Sequence, residues 1–234
     1  MTTTSVRENL LRIQERIARA AARAGRRAED VALIGVSKTH PASAIREAYE
    51  AGIRHFGENR VQEWEGKRAG TDGLGATWHL IGHLQSNKTA RAARLFHSVD
   101  SVDEFAIAQR LDRARAEAGI TGKLRVLIEV HIAPEGTKSG VEMRELAEVA
   151  ERCAELPRVQ LAGLMCIPPF LEAAEQVRRY FRRLRELRDD LTGKLGIELP
   201  VLSMGMSHDF EVAIEEGATE VRVGTALFGT REAK

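Results

Sequence analysis

Short apolar segments rich in β-branched residues alternate with helix-like segments along the whole chain, and this alternation constrains the fold more than any other feature. Eight segments are predicted as strands: VALIGVS (31–37), HFGE (55–58), WHLIG (78–82), FHSV (96–99), KLRVLIEVHI (123–132), VQLAGLMCI (159–167), PVLSMG (200–205) and EVRVG (220–224). Strands that crossover helices cover on both faces are continuously apolar, so the pattern predicts an α/β fold with a parallel sheet.

Eight such units predict a closed (β/α)₈ TIM barrel, with an open doubly wound sheet as the structural alternative. The chain of 234 residues has the length of one barrel, and no linker or low-complexity stretch interrupts it. We therefore expect one domain over residues 1–234. An extra N-terminal helix at 6–24, with one apolar stripe and a stop at Gly25, is expected to cover the part of the barrel that the short tail after strand eight cannot reach.

Residues typical of helix ends mark further boundaries. Pro41 and Gly52 are expected near the start and the end of a helix in PASAIREAYEAG. Ser101 and Glu104 have the spacing of a capping box, which predicts that a helix opens there. Another helix is expected from about Glu172 to Leu195.

The charge balance limits the classes of partner. Lys and Arg number 35 against 34 Asp and Glu, for a net charge of +1, whereas general nucleic-acid or acidic-membrane binders carry a basic excess. The arginines at 178, 179, 182, 183, 185 and 188 are interspersed with acidic residues and are interpreted as a solvated helix surface. The sequence contains no signal peptide and no transmembrane stretch, and its two cysteines, Cys153 and Cys166, are typical of buried thiols in a reducing compartment. We therefore expect a cytoplasmic protein.

In a barrel of this type, chemistry takes place at the carboxyl ends of the strands. Lys38 directly follows the first predicted strand. Partial burial at the barrel mouth would favour its neutral amine, which can attack an aldehyde and form an imine. The alternative is an ordinary solvated lysine at a strand end.

The last two strands end in sequences suited to an anion. MGMS (204–207) and RVGT (222–225) place Ser207, Gly224 and Thr225 where a phosphate is commonly held in such barrels. The alternative is that the glycines serve only the geometry of the turns. Val221 and Val223 face the opposite way from Arg222, so Arg222 is expected either to point into the barrel with a partner or to point outward between helices. A buried guanidinium needs an acceptor, and an ion pair with Glu129 is the alternative to a ligand contact.

An amine, a phosphate cradle and an inward arginine are three parts of a pyridoxal 5′-phosphate site. Other constellations are given simpler interpretations. Ser207, His208 and Asp209 are adjacent and cannot form a catalytic relay, so helix capping by Ser207 or Asp209 is expected instead. His79 and His83 lack the residues of a metal motif and are interpreted as core or pocket histidines; no metal site is predicted. Cys166 is expected to pack rather than to react.

The sequence also resembles the pyridoxal phosphate homeostasis protein family, the single-domain relatives of the alanine racemase barrel. The resemblance rests on VSKTHP (36–41), HFGENRVQE (55–63), WHLIGHLQSNK (78–88), SVDS (98–101), GLMCIPPF (163–170), LSMGMSHDF (202–210) and VRVGTALFG (221–229), in order along nearly the whole chain. It implies a (β/α)₈ barrel in which Lys38 holds pyridoxal phosphate as an internal aldimine. It further implies that Ser207, Gly224 and Thr225 bind the phosphate, that Arg222 meets the pyridine nitrogen, and that Asn59 and Met165 line the pocket.

Family members are understood as carriers or regulators of the cofactor, so the resemblance implies a role in intracellular pyridoxal phosphate homeostasis without catalytic residues. HIAPEGTKSG (131–140) departs from the family's more polar version, which leaves the role of Lys138 open. Alanine racemases add a second domain that carries a catalytic tyrosine. This chain ends at residue 234, soon after Gly229, and its tyrosines, Tyr49 and Tyr180, both fall on predicted helices. We therefore expect no such domain and a monomer.

Three hypotheses of different classes follow. The leading one is a non-catalytic pyridoxal phosphate carrier, with enzymes that use the cofactor as its partners. The second is an enzyme, either a pyridoxal phosphate-dependent amino-acid racemase or an aldolase that uses Lys38 as its imine-forming lysine. The third is a protein-interaction module whose conformation depends on the cofactor.

Overall fold

The computed structural model describes residues 5–133 and 139–229. Lys138, whose role the sequence leaves open, lies outside these residues. The N-terminal helix α1 (Val6–Arg23) confirms the predicted helix and ends two residues before Gly25. Ser5 Oγ accepts from the Glu8 N–H at 3.2 Å, and the Glu8 carboxylate accepts from the Ser5 N–H at 3.1 Å, so a capping box starts the helix. Its apolar stripe, which includes Leu10, Ile13 and Ile17, is buried.

Nine strands and eight further helices follow α1 in the described residues. The strands are β1 (Ala32–Val36), β2 (His55–Glu58), β3 (Thr77–Leu80), β4 (Ser98–Val102), β5 (Leu124–His131), β6 (Val141–Glu142), β7 (Val159–Met165), β8 (Val201–Met206) and β9 (Glu220–Val223). The helices are α2 (Ala42–Ala51), α3 (Val61–Arg68), α4 (Thr89–Leu95), α5 (Phe105–Glu117), α6 (Leu146–Ala154), α7 (Arg178–Leu195), α8 (Phe210–Glu215) and α9 (Thr225–Phe228). Short 3₁₀ turns lie between some of them.

Eight of the strands close into a parallel barrel in the order β1-β2-β3-β4-β5-β7-β8-β9. The closure is made where β9 pairs with β1, with Ala32 opposite Glu220 and Ile34 opposite Arg222. The pairing of β4 with β5 joins the two halves on the other side. The (β/α)₈ prediction is therefore confirmed, and the open doubly wound sheet was the wrong alternative. The two-residue strand β6, which pairs with the end of β5, was not predicted.

Helix α1 packs across the side of the barrel that carries the last two helices. Asn9 Nδ2 donates to the Leu227 carbonyl of α9 at 3.0 Å, and Arg16 forms an ion pair of 2.8 Å with Glu211 of α8. Both α8 and α9 are short, with six and four residues, and leave part of the barrel wall for α1 to cover. The covering role expected for this helix agrees with these contacts.

One predicted helix start is wrong. Ser101 lies within β4, and α5 begins only at Phe105, with Glu104 at its N-cap making no capping hydrogen bond through its side chain. The Ser101 hydroxyl instead donates to the Gly82 carbonyl at 2.7 Å. Pairing of β4 inside the barrel thus extends the strand through a residue whose spacing alone suggested a cap. The helix boundary at Gly52, where φ is +124°, agrees with the prediction for α2.

The arginines of helix α7 form ion pairs with acidic side chains, in agreement with their interpretation as part of a helix surface. A 3₁₀ turn (Ala174–Val177) precedes it, so the regular helix starts later than the predicted Glu172. The side chain of Glu216 is only 6% exposed. It forms ion pairs with Arg178 at 3.1 Å, Arg182 at 3.0 Å and Arg185 at 3.2 Å. The arginines therefore tie α7 to the end of α8. Among residues 5–133 and 139–229, no helix combines the length and the hydropathy that a membrane span requires.

Candidate functional site

A cavity of about 440 Å³ opens at the carboxyl ends of the barrel strands. This volume lies in the range typical of small-molecule sites, roughly 300–1,000 Å³. Six of the seven predicted cofactor residues line it: Lys38, Asn59, Ser207, Arg222, Gly224 and Thr225. They come from the ends of β1, β2, β8 and β9, which are neighbours in the sheet because β9 pairs with β1.

Lys38 follows β1, two residues after its last residue Val36, and is half-buried at the cavity wall. The strand itself is buried, and Ser37 continues the parallel pairing by donating its N–H to the Gly57 carbonyl at 3.0 Å. Thr39, directly after the lysine, has φ +67°. The chain thus turns sharply at the point where the lysine side chain leaves the barrel wall.

The end of β8 and the start of α9 form the part of the cavity predicted to hold a phosphate. Ser207 Oγ accepts from the Ala226 N–H at 3.3 Å, which joins the two segments. Gly205, just before, has φ +93°, and a Cβ there would lie 2.6 Å from the Ala213 Cβ, so only glycine fits the turn. Gly224, which lacks a side chain, and Thr225, which carries a hydroxyl, complete this wall.

The Ser207-His208-Asp209 sequence does not act as the predicted helix cap in its usual form. Ser207 accepts from the first turn of α9 rather than of α8. Asp209 occupies the N-cap of α8 without a capping side-chain bond, and its Oδ1 instead accepts from the Met206 N–H at 2.6 Å. Both side chains therefore stabilise the turn after β8, because that turn folds back on itself before α8 starts.

Arg222 points into the barrel, which is the inward of the two orientations that the alternation of β9 allows, and is 3% exposed. Its terminal nitrogens donate to the Ser203 carbonyl at 2.7 Å, the Ser203 hydroxyl at 2.8 Å and the Cys166 carbonyl at 2.8 Å. The guanidinium is thereby held rigidly at the floor of the cavity. Neutral acceptors stabilise it here, so the predicted alternative of a direct Glu129 ion pair is not the arrangement found.

Glu129 lies at the cavity wall and accepts from the Ser139 hydroxyl at 2.9 Å. Burial raises the pKa of its carboxyl, and nearby Asp103 adds to this effect. The hydrogen bond from Ser139 and the charge of Arg222 act in the opposite direction. A carboxyl in this setting takes up a proton more readily than one in water.

Met165, the seventh predicted residue, is not among the cavity-lining residues. Its side chain is fully buried in a small cluster inside the barrel with Leu127, Ala162 and Val201. The cavity wall instead includes apolar residues that the sequence analysis did not single out, among them Ile81, Ile167 and Phe170. They follow β3 and β7, so the same rule about strand ends would have identified them. Phe170 is 79% exposed, and its ring lies 5.2 Å from that of His208 at the rim.

The two histidines with i, i+4 spacing lie in different places. His83 is exposed at the cavity wall, whereas His79 is fully buried inside the barrel. His79 Nδ1 lies 2.9 Å from the Asp100 carboxylate, and its Nε2 lies 3.1 Å from His55 Nδ1. The interpretation as one pocket histidine and one core histidine therefore agrees with the structure.

The buried polar network around His79 includes a group with metal-ligating atoms. His79, Asp100 and Glu220 offer atoms within 4.8 Å of one another. Arg125 already donates to Glu220 at 2.7 Å and lies 3.7 Å from Asp100. The guanidinium thus supplies the positive charge that these carboxylates need, which favours a structural ion network over a cation site.

Cys166 packs in the core, as expected, and is fully buried. Burial raises the pKa of its thiol to about 12, so the reactive thiolate is strongly disfavoured at neutral pH. Its backbone, in contrast, has a direct part in the site through the carbonyl that accepts from Arg222.

Comparison with known proteins places this site in a family. A family model described as "Alanine racemase, N-terminal domain" matches residues 9–232. The pyridoxal phosphate homeostasis protein of Aquifex aeolicus (strain VF5) is 49% identical over 225 residues, which cover 96% of this chain and 98% of the relative. The pyridoxal phosphate homeostasis protein of Escherichia coli (strain K12) is 44% identical over 236 residues, covering 97% of each chain.

Solved structures agree with these sequence matches. PipY of Synechococcus elongatus PCC7942, solved without PLP, superposes with a TM-score of 0.86 at 41% identity and covers 96% of this chain and 100% of its own. The same protein with PLP bound gives a TM-score of 0.81 at 43% identity, over 91% of this chain and 100% of its own. An alanine racemase of Clostridium difficile 630 shares only the fold, with a TM-score of 0.76 at 14% identity over 98% of this chain and 61% of its own.

Near-full-length identity above 40% and a matching barrel leave one assignment: the chain belongs to the pyridoxal phosphate homeostasis protein family, within the barrels described as the alanine racemase N-terminal domain.

Proposed function

We propose that this protein binds pyridoxal 5′-phosphate in the barrel-mouth cavity and takes part in its homeostasis. The observation that carries the proposal is that Lys38, Arg222 and the residues Ser207, Gly224 and Thr225 line one cavity of about 440 Å³. Relatives with 40–49% identity carry the name pyridoxal phosphate homeostasis protein, and PipY has been solved with PLP bound. Bound in this way, the cofactor supplies an aldehyde that condenses with amines and a ring that accepts electrons.

The residues of the cavity fit the chemistry of this ligand. Lys38 provides an amine for the aldehyde, and the condensation forms a C=N bond and releases water. The hydroxyls of Ser207 and Thr225 beside Gly224 offer donors to the phosphate. The rigid guanidinium of Arg222 offers a donor to the ring nitrogen, and Asn59 also lines the cavity.

We propose a carrier rather than a racemase. A guanidinium donates but accepts no proton, so a ring nitrogen bonded to Arg222 stays unprotonated and the ring withdraws electrons weakly. Tyr49 lies on α2 and Tyr180 on α7, and neither of these two tyrosines lines the cavity. The wall therefore provides no phenol to act as the opposing acid or base in the way that alanine racemases use a tyrosine.

The proposal extends to the setting in which the protein works. We propose that it acts as a single barrel domain and a monomer in the cytoplasm, where it passes the cofactor to enzymes that need it. Two free, buried cysteines agree with a reducing compartment.

The proposal is tested by finding which residue reacts with the aldehyde of pyridoxal phosphate. Purified protein loaded with pyridoxal phosphate is expected to be yellow, and borohydride is expected to fix the cofactor to the peptide that contains Lys38. Lys38→Ala should be colourless after the same treatment, whereas Lys88→Ala, which changes a lysine outside the cavity wall, should load normally. Retention of the same reducible adduct in Lys38→Ala would show that another residue holds the cofactor.

A second experiment separates the carrier from the enzyme. Loaded protein is incubated with L-amino acids in deuterium oxide, and α-proton exchange and racemisation are followed. A carrier shows neither at a useful rate. Rapid exchange that disappears in Lys38→Ala would establish the racemase alternative.

A further inference from the structure

Three ionisable side chains form a buried cluster next to the backbone of Lys38. Glu58 ends β2, and Glu63 and Lys67 lie one helical turn apart on α3. Lys67 Nζ donates to Glu58 Oε1 at 3.0 Å and Oε2 at 3.2 Å, and to Glu63 Oε1 at 2.7 Å. The Glu58 side chain is 0% exposed and that of Lys67 is 11% exposed. The Glu58–Glu63–Lys67 cluster is thus largely shielded from water, and none of its three members lines the cavity.

The cluster holds the peptide groups on both sides of the lysine. Lys67 Nζ donates to the Ser37 carbonyl at 2.8 Å, which belongs to the peptide bond that precedes Lys38. The Ser37 hydroxyl donates to Glu58 Oε1 at 2.7 Å. On the other side, the Thr39 N–H, which belongs to the peptide bond that follows Lys38, donates to Glu63 Oε1. Both peptide planes of Lys38 therefore have a fixed orientation.

The backbone at this point needs such support. Thr39, with φ +67°, is the one non-glycine residue with a positive φ among the described residues. A β-branched residue enters this region only when the surrounding structure enforces it, and such residues concentrate at functional sites. The carboxylate of Glu63, which accepts from the Thr39 N–H, provides that enforcement.

The charges of the cluster are not explained by stability alone. Burial raises the pKa of Glu58, against the opposing effects of Lys67 and Ser37. Burial also acts to raise the pKa of Glu63, but the bonds from Lys67 and the Thr39 N–H outweigh it and leave that pKa below its usual value. Buried ion pairs often contribute no more to stability than apolar residues of similar size would. Their placement on the two peptides of one lysine points to a more local role.

We propose that the Glu58–Glu63–Lys67 cluster is a positioning device that aims the Lys38 amine at the aldehyde carbon of the bound ligand. Glu63 and Lys67 are positioning residues that act through the backbone of Ser37 and Thr39. The inference rests on the proposed function of Lys38 and adds to it the reason why the amine is presented from a fixed direction. Attack on a carbonyl depends steeply on this direction, and a displacement of about 1 Å costs on the order of a hundredfold in rate.

The test uses Glu63, whose side chain is 25% exposed and is the most exposed of the three members of the cluster. Glu63→Ala removes the acceptor of the Thr39 N–H, and Glu63→Gln keeps an oxygen that can accept from it. Glu65→Ala is the matched control, because Glu65 lies on the same helix and forms an ion pair with exposed Arg91 rather than with the peptides of Lys38. The rate of imine formation is followed by visible absorption after mixing with pyridoxal phosphate, and borohydride-fixed adduct is quantified. Affinity for pyridoxine 5′-phosphate, which has no aldehyde, measures non-covalent binding separately.

Glu63→Ala is expected to slow imine formation by about tenfold or more while its affinity for pyridoxine phosphate stays unchanged. Glu63→Gln should recover most of the rate, and Glu65→Ala should match the unaltered protein. Equal rates in Glu63→Ala, or a parallel loss of pyridoxine phosphate affinity and rate, would overturn the positioning role. Should Glu63→Ala fail to fold, the comparison is made in a Thr39→Gly background, where the left-handed conformation carries little strain.

The proposed function and the positioning role of the cluster predict different failures. Absence of a borohydride-fixed adduct at Lys38 in the unaltered protein would refute the proposed function itself. Normal loading of the unaltered protein, together with normal rates in Glu63→Ala, would refute only the positioning role of the cluster.

Discussion

Gly82 provides the sharpest test of how the cavity wall is built. It follows β3, and the backbone of Asn59, which follows β2, passes directly against it. A Cβ at Gly82 would lie 2.4 Å from the Asn59 carbonyl oxygen and 2.9 Å from the Asn59 Cα. Both atoms belong to the backbone and have no rotamer to change. Gly82→Ala therefore forces apart two of the segments that form the cavity wall.

The size of the effect follows from these distances. Ordinary Cβ contacts begin at about 3.4 Å, so the carbonyl has to move by 1.0 Å, from 2.4 to 3.4 Å. The Ser101 hydroxyl, which donates to the Gly82 carbonyl at 2.7 Å, opposes a compensating shift of residue 82. Overpacking of this kind costs about 1–3 kcal/mol. For a chain of this length, that corresponds to a fall in melting temperature of roughly 2–12 °C.

The assay is thermal unfolding followed by circular dichroism, together with the rate of pyridoxal phosphate loading. Gly66→Ala is the matched control, because Gly66 lies within α3 and a Cβ there meets no atom within 4 Å. That change should stabilise the helix by about 0.5–1 kcal/mol. Gly82→Ala should melt lower and load about tenfold more slowly. A Gly82→Ala protein that melts at or above the temperature of the unaltered protein would refute the steric argument.

Three further predictions concern the rest of the barrel. Burial, with the charges of its neighbours, lowers the pKa of His55 from 6.5 to about 4, so the folded state binds fewer protons than the unfolded state between these values. The free energy of unfolding should therefore fall as pH decreases from 6.5 to 4. His55→Asn should remove about 1–2 kcal/mol of that fall, a figure that is reduced because the ring is partly solvated. An unchanged pH profile of His55→Asn in chemical denaturation would contradict this. Cys153 and Cys166, both with thiol pKa values raised to about 12 by burial, should resist alkylation in the native protein and react fully in denaturant, as mass spectrometry would show. Glu216→Ala should lower the free energy of unfolding, measured by urea titration, by about 1–3 kcal/mol, because it leaves three arginines without their shared partner. Glu151→Ala, at an exposed site of α6, should leave that free energy unchanged.

Particular elements show how far the sequence predicts this fold. All eight barrel strands lie where short apolar segments fall between helical ones, because burial by crossover helices leaves a signal in the composition of each strand. Ser101 shows the limit of such local signals. Its spacing to Glu104 fits a helix cap, but pairing of β4 in the closed barrel keeps it in a strand. The strand β6 has two residues, too few to leave any periodic pattern.

The candidate site divides in the same way. Lys38, Ser207, Arg222, Gly224 and Thr225 were predicted from their positions at strand ends, and Asn59 from the family resemblance; all six line the cavity. Met165 was expected there on the same resemblance, but it packs inside the barrel. Whether a residue at a strand end faces the cavity depends on the local twist and on bulges, such as the shift in register between β5 and β7.

The alternation of apolar strands and helices, and the chemical types found at the strand ends, were determined by the sequence alone, since both depend on neighbours close along the chain. Only the tertiary structure decided that Arg222 binds carbonyl oxygens rather than Glu129, and that Lys67 and Glu63 bond to the two peptide groups around Lys38. These contacts join residues far apart in the chain or on different elements. Their geometry is set by the pairing of neighbouring strands and the packing of helices on them, which no local pattern encodes.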